Sequence, residues 1–161
     1  KKLNLSSPKE TGKTFLSNAK LKAKYFSRFT KLPVISDDSG LCIKGLKNMP
    51  GIYSARWAQK HGSFIRCMKF ILKKMKTKKN RSATFVCSLS LKLSNGKIIG
   101  VTGKIKGKIS HQIKGKNGFG YDPIFIPYGY SSTFGQMKKS KKIKIDHRFI
   151  AFKKLSKKIK I

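Results

Sequence analysis

Apolar residues recur along this chain with two different periods, and each change of period marks a boundary between elements. Over residues 14–29, Phe15, Ala19, Ala23 and Phe26 fall three or four apart, which is the spacing of one helix face. Thr14 suits the N-cap of that helix, and Ser17 reads as too short to complete a capping box with it. Leu32, Pro33, Val34 and Ile35 form a short apolar strand that delivers Asp37-Asp38-Ser39-Gly40 at its end, and residues 41–43 read as a further short strand. Residues 46–57 show no period and carry Pro50-Gly51, so they predict a loop. Phe64, Met68, Ile71, Leu72 and Met75 then define the inner face of a second helix whose outer face is lysine.

Residues 83–93 switch to alternation (Phe85, Cys87, Leu89, Leu91, Leu93), which predicts a strand. Asn95-Gly96 is a strong hairpin turn into a return strand over residues 97–101 that continues through 105–109. A glycine-rich stretch, residues 115–120, leads into a strand over residues 121–127, and residues 145–155 close the pattern as a helix. With 161 residues, no internal repeat and no linker, this describes one mixed α/β domain with a single core.

Composition changes this picture in three ways. The chain carries 39 Lys and Arg against 5 Asp and Glu, a formal charge of +34. Such a field invites a nucleic-acid reading. Against it, the excess is nearly all Lys, Ile is plentiful and Ala scarce, a pattern that A/T-rich coding explains, and no basic motif is interleaved with aromatics. A nucleic-acid partner is therefore disfavoured, although the field would still draw in small polyanions such as a nucleotide triphosphate. The three cysteines (Cys42, Cys67, Cys87) lack CxxC spacing and read as buried thiols of a reducing compartment. No run of 18 apolar residues is present, so no membrane-spanning segment is predicted.

The five acids stand in Gly-, Ser- or Pro-marked segments or beside a polar pair: Glu10, Asp37, Asp38, Asp122 and Asp146. Asp37 and Asp38, adjacent after a strand, repel one another, and a hard divalent cation such as Mg²⁺ would relieve that repulsion while engaging substrate phosphates. An Asp-rich turn that merely caps the strand is the alternative. Gly115-Lys116-Asn117-Gly118-Phe119-Gly120-Tyr121-Asp122 fits neither phosphate-loop fingerprint. Its glycines can admit a ligand while Phe119 or Tyr121 stacks on a base, or it is a tight turn with an aromatic packed inward. His147-Arg148 offers directional donors to a carbonyl or phosphate, unless it is an idle surface pair; Lys142 is a loop residue upstream.

These segments occur in a recognisable order. Glu10-Thr11-Gly12-x-Thr14-Phe15-x-x-Asn18-Ala19-x-x-Lys22-Ala23 precedes Leu32-Pro33-Val34-Ile35-Ser36-Asp37-Asp38-Ser39-Gly40-Leu41. Pro50-Gly51-Ile52-Tyr53-Ser54-Ala55-Arg56 follows, then Asn117-Gly118-Phe119-Gly120-Tyr121-Asp122-Pro123-Ile124-Phe125, and finally His147-Arg148-x-x-Ala151. From about Glu10 to Leu155 the chain closely resembles the Ham1/RdgB family of inosine (non-canonical purine) triphosphate pyrophosphatases. The resemblance implies an elongated, two-lobed α/β fold around a long twisted sheet with flanking helices. It implies hydrolysis of ITP, dITP and XTP to monophosphate and pyrophosphate, a requirement for Mg²⁺, a homodimer and a cytoplasmic location.

Carried over by motif, Glu10 and Asp38 would hold Mg²⁺ with Asp37 in support, and Asp38 would accept the proton of the attacking water. Lys22 would face the phosphates and Ser39 would touch substrate. Phe119, Gly120, Tyr121 and Asp122 would form the base-binding wall, completed by Lys142, His147 and Arg148. The chain departs from the family pattern at several points. The family's opening strand and its Thr/Ser-x-Asn-x-x-Lys loop have no counterpart here, and their expected place is upstream of Lys1. Ser17 and Gln136 stand where the family has Glu, Ile143 where it has Asn, and Phe149 where it has a small residue. Asp146 stands at a common Ser position and takes no role from the resemblance. The alternatives are a catalytically inactive relative and a basic nucleic-acid-binding module.

Overall fold

A computed structural model describes residues 5–159. Its centre is a five-stranded sheet of order β2-β1-β3-β4-β5, antiparallel at every junction. The strands are β1 (Val34–Ile43), β2 (Met49–Pro50), β3 (Ser82–Lys92), β4 (Ile98–Ile109) and β5 (Phe125–Pro127). The helices are α1 (Phe15–Phe26), α2 (Ser54–Lys60), α3 (Phe64–Met75), α4 (Lys139–Lys142) and α5 (His147–Ile159). This is the mixed α/β fold with flanking helices that the sequence predicts.

Local chemistry explains most boundaries. Thr14 Oγ1 accepts the Ser17 amide at 3.0 Å, and Ser17 Oγ accepts the Thr14 amide at 3.0 Å. The capping box therefore closes, contrary to the expectation that serine is too short: its hydroxyl also donates to the Thr14 carbonyl at 2.8 Å, which holds it over the turn. Asn95-Gly96 turns the β3–β4 hairpin as predicted, with Gly96 at φ 87 and the Gly96 amide donating to the Leu93 carbonyl at 3.0 Å.

Three boundaries differ from the sequence reading. Residues 34–43 are one continuous strand, so Asp37-Asp38-Ser39-Gly40 is not a turn; the whole stretch pairs with β3, from Val34 opposite Lys92 to Ile43 opposite Ala83. Part of the expected loop over residues 46–57 is the short helix α2, and the strand expected over residues 121–127 begins as a 3-10 turn, Asp122–Ile124. Lys142 closes the short helix α4 and is buried, whereas the sequence reads it as a loop residue.

Because side chains alternate along a strand, the antiparallel register puts every odd-numbered residue of β1, β3, β4 and β5 on one face. Leu41 and Ile43 of β1, Phe85 of β3, Ile109 of β4 and Phe125 of β5 are buried there with Cys67, Met68, Ile71 and Met75 of α3. Each large apolar side chain buried in this way contributes about 1.5–3 kcal/mol. The even face carries α1, with Ser36 Oγ donating to the Ala19 carbonyl at 2.6 Å. Two β4 glycines show both contacts at once. A Cβ on Gly100 would sit 2.8 Å from Leu16 Cδ1 of α1, and one on Gly103 would overlap the His147 carbonyl and Ala151 amide of α5. All three cysteines are free thiols, Cys67 and Cys87 buried and Cys42 partly so. No described helix is long and apolar enough to cross a membrane.

Candidate active site

The residues singled out from sequence gather into two clusters on opposite faces of β1. On the even face, α1 and the segment before it bring Glu10, Lys22 and Asp38 together. Lys22 Nζ lies 2.6 Å from Glu10 Oε1 and 3.3 Å from Asp38 Oδ1. Asn18, one helical turn before Lys22, donates from Nδ2 to Asp38 Oδ2 at 3.2 Å and accepts the Gly12 amide on Oδ1 at 2.8 Å. It thus ties the Glu10-Thr11-Gly12 segment to the carboxylate. Arg56 of α2 lies 3.6 Å from the second Glu10 oxygen and 4.5 Å over the Tyr53 ring. The family resemblance implies no role for Asn18 or Arg56. The signal for Asn18 was there, as a polar residue at i−4 from Lys22 on the inner helix face.

Burial raises the Asp38 carboxyl above its ordinary value, opposed by Lys22 and Asn18 and reinforced by the charge of Glu10. Burial alone would lower Lys22, but its hydrogen bond to Glu10 and the charges of Asp38 and Glu10 outweigh that and raise it. The result is a half-buried carboxylate pair bridged by one ammonium. Among the described residues no three His, Cys, Asp or Glu side chains gather as a ligand set. Two carboxylates converging on one cation nevertheless fit Mg²⁺, which takes one or two protein carboxylates and completes its shell with water and substrate phosphate.

Asp37 does not join this pair. Strand alternation turns it to the odd face, where its Oδ2 accepts the Ser39 hydroxyl at 2.9 Å and lies 3.9 Å from Arg148 Nη2. The expected support of the metal by Asp37 is corrected accordingly: the backbone of β1 stands between the two adjacent carboxylates.

The odd face holds the second cluster. Phe119 is 59% exposed, with Arg148 4.7 Å and Lys142 Nζ 5.1 Å from its ring centroid. Asp122 is buried and uses Oδ2 twice, accepting the Phe119 amide at 2.8 Å and pairing with Lys142 Nζ at 3.1 Å. Gly118 sits at φ 76, and a Cβ there would overlap that same carboxylate oxygen, so the turn admits only glycine. Burial raises the Asp122 carboxyl, opposed by the Phe119 amide and by Lys142 and Arg148. An open cleft of about 780 Å³ is walled by Phe119, Lys142, Arg148, Ile143, Phe149 and Phe152. A smaller chamber of about 220 Å³ lies beside it and shares Phe119 and Arg148. The departures at Ile143 and Phe149 therefore line the cleft with apolar surface. Gln136 lies away from it, accepting the Thr133 amide at 3.1 Å.

Tyr121 and His147 of the expected base-binding wall are buried, yet both line the smaller chamber with Gly120, Asp122 and Ser39. Tyr121 is buried, donating to the Ser54 carbonyl at 2.7 Å and lying 3.3 Å from Cys67 Sγ. It holds the loop from behind, and Gly120 rests against Phe64. His147 is buried and stacked on Phe85 at 4.8 Å. Burial, followed by the charges of Arg148 and Lys142, pushes its imidazole down to about 3. Its neutral Nε2 accepts from Arg148 Nη1 at 3.0 Å, so the proton resides on Nδ1, which has no partner among the described residues.

A model of the Ham1 family matches residues 1–158. The dITP/XTP pyrophosphatase of Caulobacter vibrioides is 40% identical over 155 residues, covering 95% of this chain and 80% of that protein. The enzyme of the same name from Dictyoglomus thermophilum is 43% identical over 151 residues, covering 92% and 73%. Among solved structures, the Staphylococcus aureus Ham1 protein superposes with a TM-score of 0.90 at 36% identity, covering 98% of this chain and 81% of that one. A HAM1 protein from Coxiella burnetii gives a TM-score of 0.89 at 34% identity, covering 96% and 81%.

Proposed function

The chain belongs to the Ham1 family, and we propose that its two clusters serve one reaction, the hydrolysis of non-canonical purine nucleoside triphosphates such as dITP, XTP and ITP. The products are the nucleoside monophosphate and pyrophosphate. The observation that carries this reading is about 40% identity to dITP/XTP pyrophosphatases over more than nine-tenths of the chain, joined to a site that supplies both a carboxylate pair and an aromatic-cationic cleft.

Each residue's part follows from its surroundings. Glu10 and Asp38 would hold Mg²⁺, which when bound neutralises charge on the pyrophosphate leaving group. Asp38, raised by burial, accepts the proton of the attacking water. Lys22 faces the phosphates once it is released from the carboxylates. Phe119 stacks on the purine, and Lys142 and Arg148 donate towards a 6-keto oxygen. A 6-amino group in that place leaves those donors unpaired, so discrimination comes from the cost of an unmade hydrogen bond. Ser39 and Asp37 lie beside the base, on the face away from the metal. β2 pairs with β1 only at Cys42 and Ile43, so among the described residues the other edge of β1 is free beside Asp37 and Asp38. A nucleotide can cross that edge with its base on one face and its phosphates on the other.

Assay of pyrophosphate release from ITP, XTP and ATP with Mg²⁺ tests the reading. Turnover of ITP or XTP in preference to ATP is expected, and Asp38→Asn should lower kcat by about 10²–10⁴-fold. Absence of ITP and XTP turnover, or full activity in Asp38→Asn, would sink it. The family resemblance also supports a homodimer working in the cytoplasm; sedimentation at the mass of one 18.2 kDa chain would count against the dimer.

A further inference from the structure

Asp146 has no part in the reaction above, yet it is buried and both its oxygens are used. Oδ1 accepts the Phe149 amide at 2.8 Å, capping α5, and Oδ2 lies 3.5 Å from Lys142 Nζ. Capping alone does not call for a charge, because Ser, Thr and Asn cap as well without the cost of burying an ion. The charge has a use here because Lys142 is itself buried and must be paired. Asp122 supplies one partner at 3.1 Å and Asp146 the second.

These contacts close a ring. The Phe119 amide is held by Asp122, Asp122 by Lys142, and Lys142 by Asp146. Asp146 caps the helix that carries Arg148, and Arg148 returns over the Phe119 ring at 4.7 Å. No other described residue links the position of Lys142 to the first turn of α5 by a side-chain bond. The Lys142 ammonium also lies 5.3 Å from the Phe134 ring centroid, so Asp122 and Asp146 hold it between two aromatic rings.

We propose that Asp146 is a positioning residue for purine recognition: it fixes the Lys142 ammonium and the Arg148 guanidinium together over the Phe119 ring, so that both donors meet the base at once. The proposal rests on the purine-nucleotide reading given above and adds to it a determinant of base discrimination.

Asp146→Asn keeps the cap acceptor and removes the charge, and Asp146→Ser keeps the cap but is too short to reach Lys142. Both should hold the Tm near that of the unaltered protein. Both should raise KM for ITP about tenfold, the size of a lost charge-assisted contact, while kcat falls by less than about threefold. The ratio of kcat/KM for ITP over ATP should fall with KM. Asp146→Ala, which loses cap and charge together, should add a loss of Tm. Unchanged KM and ITP/ATP ratio in both the Asn and Ser variants would overturn the proposal and leave Asp146 a helix cap, as would losses that simply follow Tm. Turnover of ITP by the unaltered protein separates the two levels. Its absence overturns the functional reading and the proposal with it, whereas its presence with unaltered Asn and Ser variants overturns only the role of Asp146.

Discussion

Asp37 and Asp38 are consecutive in the chain and stand on opposite faces of β1: Asp38 meets Lys22 at 3.3 Å beneath α1, and Asp37 meets Arg148 at 3.9 Å beside α5. The two carboxylates therefore belong to different halves of the site, and their substitutions should separate cleanly.

Glu10→Gln should raise the Mg²⁺ concentration for half-maximal activity about tenfold or more, since it removes one of only two carboxylates that converge there. Asp37→Asn should leave that concentration within about twofold and act instead on KM for ITP, through the loosened Arg148. Titration of activity with Mg²⁺ at saturating ITP makes the comparison. Equal shifts in both variants would place Asp37 at the metal after all.

Lys22→Met should destabilise the protein when no metal is present, because Glu10 and Asp38 then face each other unbridged in a half-buried setting. A loss of about 1–3 kcal/mol is expected. Added Mg²⁺ should stabilise this variant more than it stabilises the unaltered protein, since the ion takes the place of the missing ammonium. Thermal unfolding with and without Mg²⁺ reads both effects.

The protein should lose stability as the pH falls below about 6.5. The unfolded His147 imidazole takes up a proton near its ordinary 6.5, while the folded one resists down to about 3. Between those values the unfolded chain binds more protons, so the contribution is whole above pH 6.5 and falls by about 1.4 kcal/mol per unit below it. Asp38 and Asp122 act in the opposite sense, because their raised carboxyls protonate in the folded state before the unfolded value of 3.8 is reached. They offset part of the loss at the acid end. Tm measured from pH 7.5 to 5 should fall, and His147→Gln should flatten the slope.

Gly103→Ala should lower stability by about 1–3 kcal/mol, because its Cβ would overlap backbone atoms of His147 and Ala151, which cannot rotate away. The added methyl pushes the first turns of α5 off β4, and Arg148 moves with them. KM for ITP should therefore rise more than kcat falls. A variant with unaltered KM would show that the start of α5 tolerates this displacement.

Some of the architecture is local and could be read directly. The helix faces of α1 and α3 follow from 3–4 spacing, and the β3–β4 hairpin from alternation around Asn95-Gly96. The residues of the candidate site could also be named in advance, because each stands in a motif with its own order. Their grouping could not. Ser39-Gly40 after two aspartates looks like a turn, and only pairing with β3 along the whole of β1 keeps the stretch extended. Once it is extended, alternation decides that Asp38 belongs with Glu10 and Lys22 while Asp37 belongs with Arg148.

By itself the sequence determined the helix faces, the hairpin, the family resemblance and the roster of chemical groups, since these depend on neighbours a few positions away or on residue order. The tertiary structure alone decided the burial of Lys142 and Tyr121, the neutrality of His147 and the double use of Asp146. Each of these depends on desolvation and on partners distant in the chain, and residues far apart in sequence acquire a common environment only when the sheet and its helices close around them.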